Sequence, residues 1–255
     1  MTAIRYELTR LRTVRATWAT AAGVIAVGAA ATWIEARDLG SVPTAPGHAA
    51  QVITSGAPGA ATPLAAVVVA FAAVLSCGRE QRGAHLQTLL LTLPRRGRAL
   101  AAKTVVTAVL AGCVAVLGLA VNALVADAVF GPGFRDLAWD QVPVPRLLAG
   151  YVVYLVFAAV LGLAIGVLTR GSAVAAVAVA ALPWTVEPLI GRAADAVLAE
   201  PYRDWDAYLP FGAADRMLST SGPGLAPGTG AVVFGCWTAI ALLAAAVVFA
   251  RRDAA

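Results

Sequence analysis

Charged residues are scarce in this sequence, and that scarcity excludes an ordinary soluble protein. They make up 13% of the 255 residues, whereas 60% are hydrophobic and the mean hydropathy is +0.80. Soluble domains carry about 25% charged residues because their surfaces face water. The composition therefore indicates an integral membrane protein, and the long apolar runs within it predict an all-α one.

Histidine and cysteine are also rare, and these residues form many of the catalytic and metal-binding sites of enzymes. The two histidines are His48 and His85, and the chain contains neither an H-E-x-x-H nor a G-x-S-x-G motif. The three cysteines, Cys77, Cys113 and Cys236, have no disulfide or metal-ligand spacing. We therefore expect no catalytic, cofactor-binding or metal-binding residue, and no enzymatic activity.

Long apolar runs predict six transmembrane helices. They cover about residues 18–34, 60–77, 104–126, 147–169, 172–190 and 231–250. The second run is short for the ~20 residues that a span needs, so we expect it to begin about a turn before Pro63. Only Arg170 and Gly171 separate the fourth and fifth runs, which predicts a tight hairpin, and Pro183 should kink the fifth. Residues 35–61 and 191–230 are expected to be loops.

The cations of the chain fall mainly on one side of these spans. If the N-terminus lies inside the cell, the inner segments carry thirteen cations and three acids, and the outer segments six cations and eleven acids. The positive-inside rule then gives cytoplasmic N- and C-termini. Because the cations are sorted by side, the net charge of +5 does not indicate binding to nucleic acid. The Arg-rich composition, with one lysine, suggests a GC-rich genome, and we expect the cytoplasmic membrane of a bacterium.

Residues 1–17 predict an amphipathic helix that lies along the inner leaflet. Its apolar face is formed by Ile4, Leu8, Leu11 and Val14, and its anchoring residues are Arg5, Leu8, Arg12 and Arg15. Such a basic helix binds anionic membrane lipid. A cleavable signal peptide has the same order of charges and apolar residues, but the five further spans favour a retained signal anchor.

Residues 79–103 form a cationic segment between the second and third spans. They contain six cations and one acid, and this charge keeps them out of the lipid. Leu86, Leu89, Leu90 and Leu93 recur at helical spacing and give one apolar face. We expect a short amphipathic helix at the cytoplasmic surface that ends at Pro94 and docks on another protein. A basic loop that only sets the topology is the alternative, but such a loop needs no leucines.

This segment has an acid soon after the second span, a leucine-rich turn, and a Pro-x-Arg pair that leads to a basic residue. The residues are Glu80-x-Arg82, Thr88, Leu90, Pro94-x-Arg96 and Lys103. The segment resembles the coupling helix of type-2 ATP-binding-cassette (ABC) exporter permeases. With the basic N-terminus, six spans and the long loop before the last span, the resemblance covers nearly the whole chain. It departs from the family at Ala84 and His85, where a Gly-Thr pair is usual.

The resemblance implies a permease subunit that exports a substrate with ATP hydrolysed by separate ATPase subunits. A second copy or a paralogous permease would be the other partner. The residues implied to couple to the ATPase are Glu80, Arg82, Leu86, Leu89, Leu90, Leu93, Pro94, Arg95 and Arg96. The resemblance also implies that the N-terminal helix is an elbow in the inner leaflet and that residues 191–230 form short re-entrant helices near the outer surface.

Two polar residues within apolar runs are candidates for a substrate path. Asn122 in the third span either contacts substrate or forms a hydrogen bond between packed helices. Glu187 near the outer end of the fifth span either binds a cationic substrate or lies at the interface. Gly97–Thr104 nearly matches the phosphate-binding loop, but Ala102 replaces its second glycine and no strand precedes it. A non-transporting membrane anchor or sensor and an ion-coupled carrier are the alternative functions.

Overall fold

The computed structural model of the chain describes residues 15–55, 62–81, 96–195, 206–220 and 225–251, and its regular structure in these ranges is helical throughout. The helices are α1 (Arg15–Leu39), α2 (Pro46–Ser55), α3 (Leu64–Gln81), α4 (Arg96–Phe130), α5 (Pro132–Arg135), α6 (Val144–Leu168), α7 (Ala173–Ala181), α8 (Glu187–Asp195), α9 (Pro210–Leu218) and α10 (Pro227–Arg251). A π-helical segment, Leu182–Val186, joins α7 to α8. The all-α class is confirmed for the described residues.

Five of these helical stretches are long and apolar enough to cross a membrane. They cover Arg15–Leu39, Ala99–Phe130, Val144–Leu168, Ala173–Ala194 and Pro227–Arg251. The apolar part of α3, Leu64–Gly78, is shorter, about 22 Å at 1.5 Å per residue against a hydrocarbon core of about 30 Å. The chain is thus a multi-pass membrane protein, and the six-span topology stays a prediction.

The structure differs from the sequence expectation in the stretches between spans. Residues 35–61, expected as a loop, contain the last turn of α1 and the whole of α2. Residues 191–230 contain the end of α8, the short helix α9 and the start of α10. The segment Gly97–Thr104 lies inside α4, so the near match to the phosphate-binding loop is helical. Helices α2 and α9 are short and contain proline, glycine and polar residues, so neither forms a long apolar run in the sequence.

Helix α6 lies at the centre of the bundle. In its most apolar 18-residue stretch, 67% is buried inside the protein, against 17–28% for the same stretch of the other four candidate spans. It packs against α3, α4 and α10, and the buried rings of Tyr151 and Tyr154 form part of the core around it. The outward faces of α4 and α10 instead carry exposed apolar residues, namely Val105, Val109, Val116, Leu117, Leu124, Val232, Ile240, Leu243 and Val247. Such an extended apolar surface suits contact with lipid.

Helices α3 and α6 approach each other through glycine. A methyl group at Gly162 would collide with the carbonyl oxygen of Ala70, and one at Gly166 would lie 3.0 Å from Cβ of Cys77. The two glycines are four residues apart and lie on one face of α6. Small residues at this spacing let the backbones of membrane helices pack closely, and this pair brings α6 close to the backbone of α3.

A four-residue turn, 169–172, joins α6 to α7 at one end of the bundle. Arg170 and Gly171 both have positive φ, 57° and 64°, and Gly171 packs directly on the backbone of Gly78. Ser172 begins α7 by accepting a hydrogen bond from the Ala175 N–H at 3.1 Å. We call this the hairpin end of the bundle. The opposite end, which contains α2, α5 and α9, is the α9 end.

Candidate functional site

Helix α9 is a nine-residue helix that packs against α10, α6 and α2 at the α9 end. Its buried face consists of Phe211, Ala213, Ala214, Met217 and Leu218. Pro210 occupies the first helical position, which suits a residue without an N–H. The preceding residue, Leu209, has extended backbone angles but no side-chain group that can cap the helix. The first N–H groups of α9 therefore need a partner from elsewhere in the chain.

Glu187 supplies that partner. Its Oε1 accepts a hydrogen bond from the Phe211 N–H at 3.0 Å, and its Oε2 accepts one from the Gly212 N–H at 2.8 Å. The side chain is buried and comes from the first residue of α8, directly after the π-helical segment that contains Pro183. A carboxylate at this position also faces the positive end of the helix dipole. Glu187 thus acts as a helix cap from another span.

Arg146 binds the opposite end of α9. Its Nη1 donates to the carbonyl oxygen of Met217 at 3.2 Å and its Nη2 to that of Ser219 at 2.8 Å. Gln51 of α2 donates from Nε2 to the carbonyl oxygen of Leu218 at 3.4 Å. A cation suits the negative end of a helix dipole. An acid from one span and a base from another therefore bind α9 at its two ends.

Asp215 connects the middle of α9 to the bundle. Its carboxylate accepts hydrogen bonds from the Thr62 hydroxyl, at 2.7 Å to Oδ2, and from the Tyr154 hydroxyl, at 2.8 Å to Oδ1. Both donors are buried, Thr62 beside the start of α3 and Tyr154 on α6. Burial raises the pKa of Asp215 to about 6, although the two hydroxyl donors and the charge of Arg216 oppose this shift.

Aromatic rings and close backbone contacts surround this carboxylate. Tyr154 and Phe234 meet edge to face with ring centroids 5.6 Å apart, and Phe211 lies 5.9 Å from Phe234. A methyl group at Gly230 of α10 would collide with the carbonyl oxygen of Ala213, so only glycine allows this approach. Aromatic rings and a close backbone contact therefore lie beside the two hydroxyl groups that bind Asp215.

Asn122 lies in a different place and binds a different short helix. Its Nδ2 donates to the carbonyl oxygen of Ile53 at 2.9 Å, at the C-terminal turn of α2. The hydroxyl of Thr32 donates to the neighbouring carbonyl of Val52 at 3.4 Å. Asn122 is 2% exposed, and its Oδ1 has no hydrogen-bond partner among the residues that the structure describes. The structure thus gives Asn122 the helix-packing hydrogen bond that was one of its two expected roles.

Most residues predicted to couple to an ATPase lie outside the described residues. These are Arg82, Leu86, Leu89, Leu90, Leu93, Pro94 and Arg95, and the same holds for Arg5, Leu8 and Arg12 of the predicted elbow. Glu80 belongs to the last turn of α3, Arg96 is the first residue of α4, and Arg15 is exposed at the start of α1. The predicted coupling segment, 79–103, therefore overlaps the last three residues of α3 and the first eight of α4.

The sequence analysis singled out Glu187 but missed Asp215, Tyr154, Thr62 and Arg146. Glu187 stood out because it is an acid beside an apolar run. Asp215 lies in a stretch that contains other acids and reads as a polar loop, and its partner Thr62 is 153 residues away in the chain. A helix at this place could have been inferred from Pro210 and the amphipathic stretch after it. Because Leu209 cannot cap such a helix, a partner from elsewhere in the chain was also to be expected.

The described residues thus contain two polar arrangements, one around α9 and one at the end of α2. Within the described ranges, no group of three His, Cys, Asp or Glu side chains is placed to hold a metal ion. The chain matches no model of a known protein family and no curated protein. Its function therefore has to be inferred from its own residues.

Proposed function

We propose that the chain is the permease subunit of an ABC exporter in the bacterial cytoplasmic membrane. It has six spans with both termini in the cytoplasm, pairs with a second copy or a paralogous permease, and uses ATP hydrolysed by separate subunits. The observation that carries this proposal is the place of residues 82–95 in the chain, between the end of α3 and the start of α4 at the hairpin end. A leucine-rich cationic sequence at this place in the chain supports a cytoplasmic partner.

Contacts at the hairpin end support this assignment of sides. Cys77 of α3, Leu100 of α4, Val167 of α6 and Ala245 of α10 belong to one buried cluster. The cationic residues Arg15, Arg170 and Arg251 are exposed at the start of α1, in the turn after α6 and at the end of α10. The positive-inside rule makes an end with this charge cytoplasmic. The α9 end then faces the exterior.

Helix α3 offers a physical route from the ATPase to the outer end. At one terminus it leads into residues 82–95, and at the other Thr62 donates to Asp215 of α9. Along its length it packs on α6 without a gap at Gly162 and Gly166. A push on the coupling segment would therefore move α3 and α6 as one body and change the contact with α9, which lies where the substrate would leave.

The test is co-purification with an ATPase. We expect the chain, purified in mild detergent from its own cells, to bring down a subunit that carries the phosphate-binding-loop motif and is identified by mass spectrometry. Changing Leu86 and Leu90 to Asp should reduce that association at least tenfold, because two carboxylates cannot be seated in an apolar groove. The control is Val142→Asp, which places the same charge on a 91% exposed residue at the α9 end and should retain the subunit. Full association of the double variant would refute the docking role of these leucines.

An ion-coupled carrier is the second candidate, since Glu187 and Asp215 are two carboxylates without an ion pair in the described part of the chain. Against it, both oxygens of Glu187 already accept backbone N–H groups, and both oxygens of Asp215 accept hydroxyl groups. A carrier has no ATPase partner, so the same co-purification separates the two functions.

A further inference from the structure

Helix α9 is bound to the bundle through groups that come from several separate elements. Glu187 of α8 binds its N-terminus, Arg146 of α6 and Gln51 of α2 bind its C-terminus, and Asp215 reaches Tyr154 and Thr62 from its middle. The helix has only nine residues, too few to be stable in water without such contacts. Its position therefore depends on these few polar bonds and on its apolar face.

Asp215 differs from Glu187 and Arg146 in its partners, which are side-chain hydroxyl groups rather than backbone groups. In the described residues no cation forms an ion pair with it, and its two donors are neutral hydroxyl groups among aromatic rings. Moving a carboxylate from water into such surroundings costs free energy, whereas moving the protonated acid costs much less. When Asp215 is charged, the state in which α9 is displaced into water is favoured. When Asp215 is protonated, the state in which α9 is seated on the bundle is favoured.

We propose that α9 is a proton-dependent latch, which takes up a proton at Asp215 when it seats on the bundle and releases that proton when it leaves. Glu187 and Arg146 fix the two ends of the seated helix, and the side chain of Asp215 sets how its stability changes with pH. The latch needs no ATPase to operate, so it goes beyond the exporter proposal and stands or fails separately from it.

The direction of the pH effect follows from the two states of Asp215. Seated, its pKa is raised to about 6, and in water it returns to the ordinary 3.8. Between these values the seated state binds more protons than the displaced state, so a rise in pH through this window weakens the latch. By this linkage the equilibrium constant for displacing α9 from the bundle increases roughly tenfold between pH 5 and pH 7, and it changes little above pH 7.

Other titratable or charged groups lie on α9 and on the elements packed against it or next to it in the chain. They are Arg216 on α9, Asp206 and Tyr208 before it, Glu187, Arg192 and Asp195 on α8, Arg146, Tyr151 and Tyr154 on α6, His48 on α2, Cys236 on α10 and Arg251 at the far end of α10. The π-helical segment contributes none. Of these, His48 is exposed on the element beside the C-terminus of α9 and provides the control for titration of a neighbouring group.

The experiment measures amide hydrogen exchange of the full chain in lipid nanodiscs between pH 4.5 and 8. The amides of Ala213 and Ala214 report the seating of α9, and each rate is divided by the intrinsic rate at that pH, which leaves the opening equilibrium. We expect protection of these two amides to fall about tenfold from pH 5 to pH 7. Protection that is constant with pH, or that rises with pH, would overturn the latch.

Three variants assign the effect to its residue. Asp215→Asn imitates the protonated acid, so protection should stay high and lose its pH dependence. His48→Gln should keep the dependence of the original chain. Tyr154→Phe removes a hydroxyl donor that favours the charged carboxylate, so it should move the transition to higher pH. A pH dependence that survives Asp215→Asn, or that disappears in His48→Gln, would assign the proton to another group and refute the proposal.

Discussion

Where α3 meets α6, Gly162 and Gly166 pack against Ala70, Val74 and Cys77, and none of these side chains is charged. Where α9 meets the bundle, hydrogen bonds of charged side chains bind its two ends and its middle. The first kind of contact is set by shape and does not respond to pH or to water. The second can open when water or a proton replaces one partner. The comparison indicates that α3 and α6 move as one body and that α9 is the part that separates from them.

The largest effect is expected from breaking the shape contact. Gly162→Leu places a branched side chain against the backbone of Ala70, which cannot rotate away. We expect a loss of about 3 kcal/mol of unfolding free energy, at the upper end of the range for overpacked cores, measured by thermal unfolding in detergent. Gly23→Leu is the matched control, since Gly23 of α1 has open space around it. Equal losses in both variants would mean that the close approach at Gly162 has no special role.

An intermediate effect is expected from Glu187→Gln. The amide keeps one acceptor oxygen but turns its NH₂ group toward a backbone N–H of α9, and it loses the charge that faces the helix dipole. We expect exchange of the Phe211 and Gly212 amides to become about tenfold faster, which corresponds to about 1.4 kcal/mol, while the melting temperature changes little. Asp140→Asn, at an exposed acid of the same end, should leave both quantities unchanged. A general loss of stability instead of a local one would remove the distinction between the two regions.

The smallest effect is expected at an ion pair that belongs to neither region. Arg135 donates from Nε to Asp127 at 2.6 Å, yet its side chain is 73% exposed. Ion pairs in water contribute little because solvent screens them. Arg135→Ala should therefore leave the melting temperature and the exchange of α9 within error. A clear loss would show that charged contacts at this end stabilise the protein wherever they lie.

Hydropathy predicted long apolar helices, and the described residues contain five of them, because a helix inside lipid must be apolar along its length. The short helices were not predicted for the opposite reason. Helix α9 depends at its N-terminus on Glu187, 24 residues before Phe211, and in its middle on Thr62, 153 residues before Asp215. Such partners leave no local pattern in the sequence.

Two features at these contacts were nevertheless visible in the sequence. The pair Gly162 and Gly166 has the spacing of a small-residue packing motif, and it marks the face that meets α3. Asn122 and Glu187 stood out as polar residues in apolar surroundings. Both bind backbone groups at the ends of short helices. A polar residue in a span is thus a good sign of a contact, but the sequence does not say with which element.

The short apolar stretch of α3 has a consequence for the lipid around the protein. With about 22 Å of apolar length in a core of about 30 Å, α3 cannot reach both surfaces of an average bilayer unless the bilayer thins beside it. A thicker membrane would draw the Thr62 end of α3 deeper and strain its hydrogen bond to Asp215 of α9. The proposed latch would then depend on acyl-chain length as well as on pH.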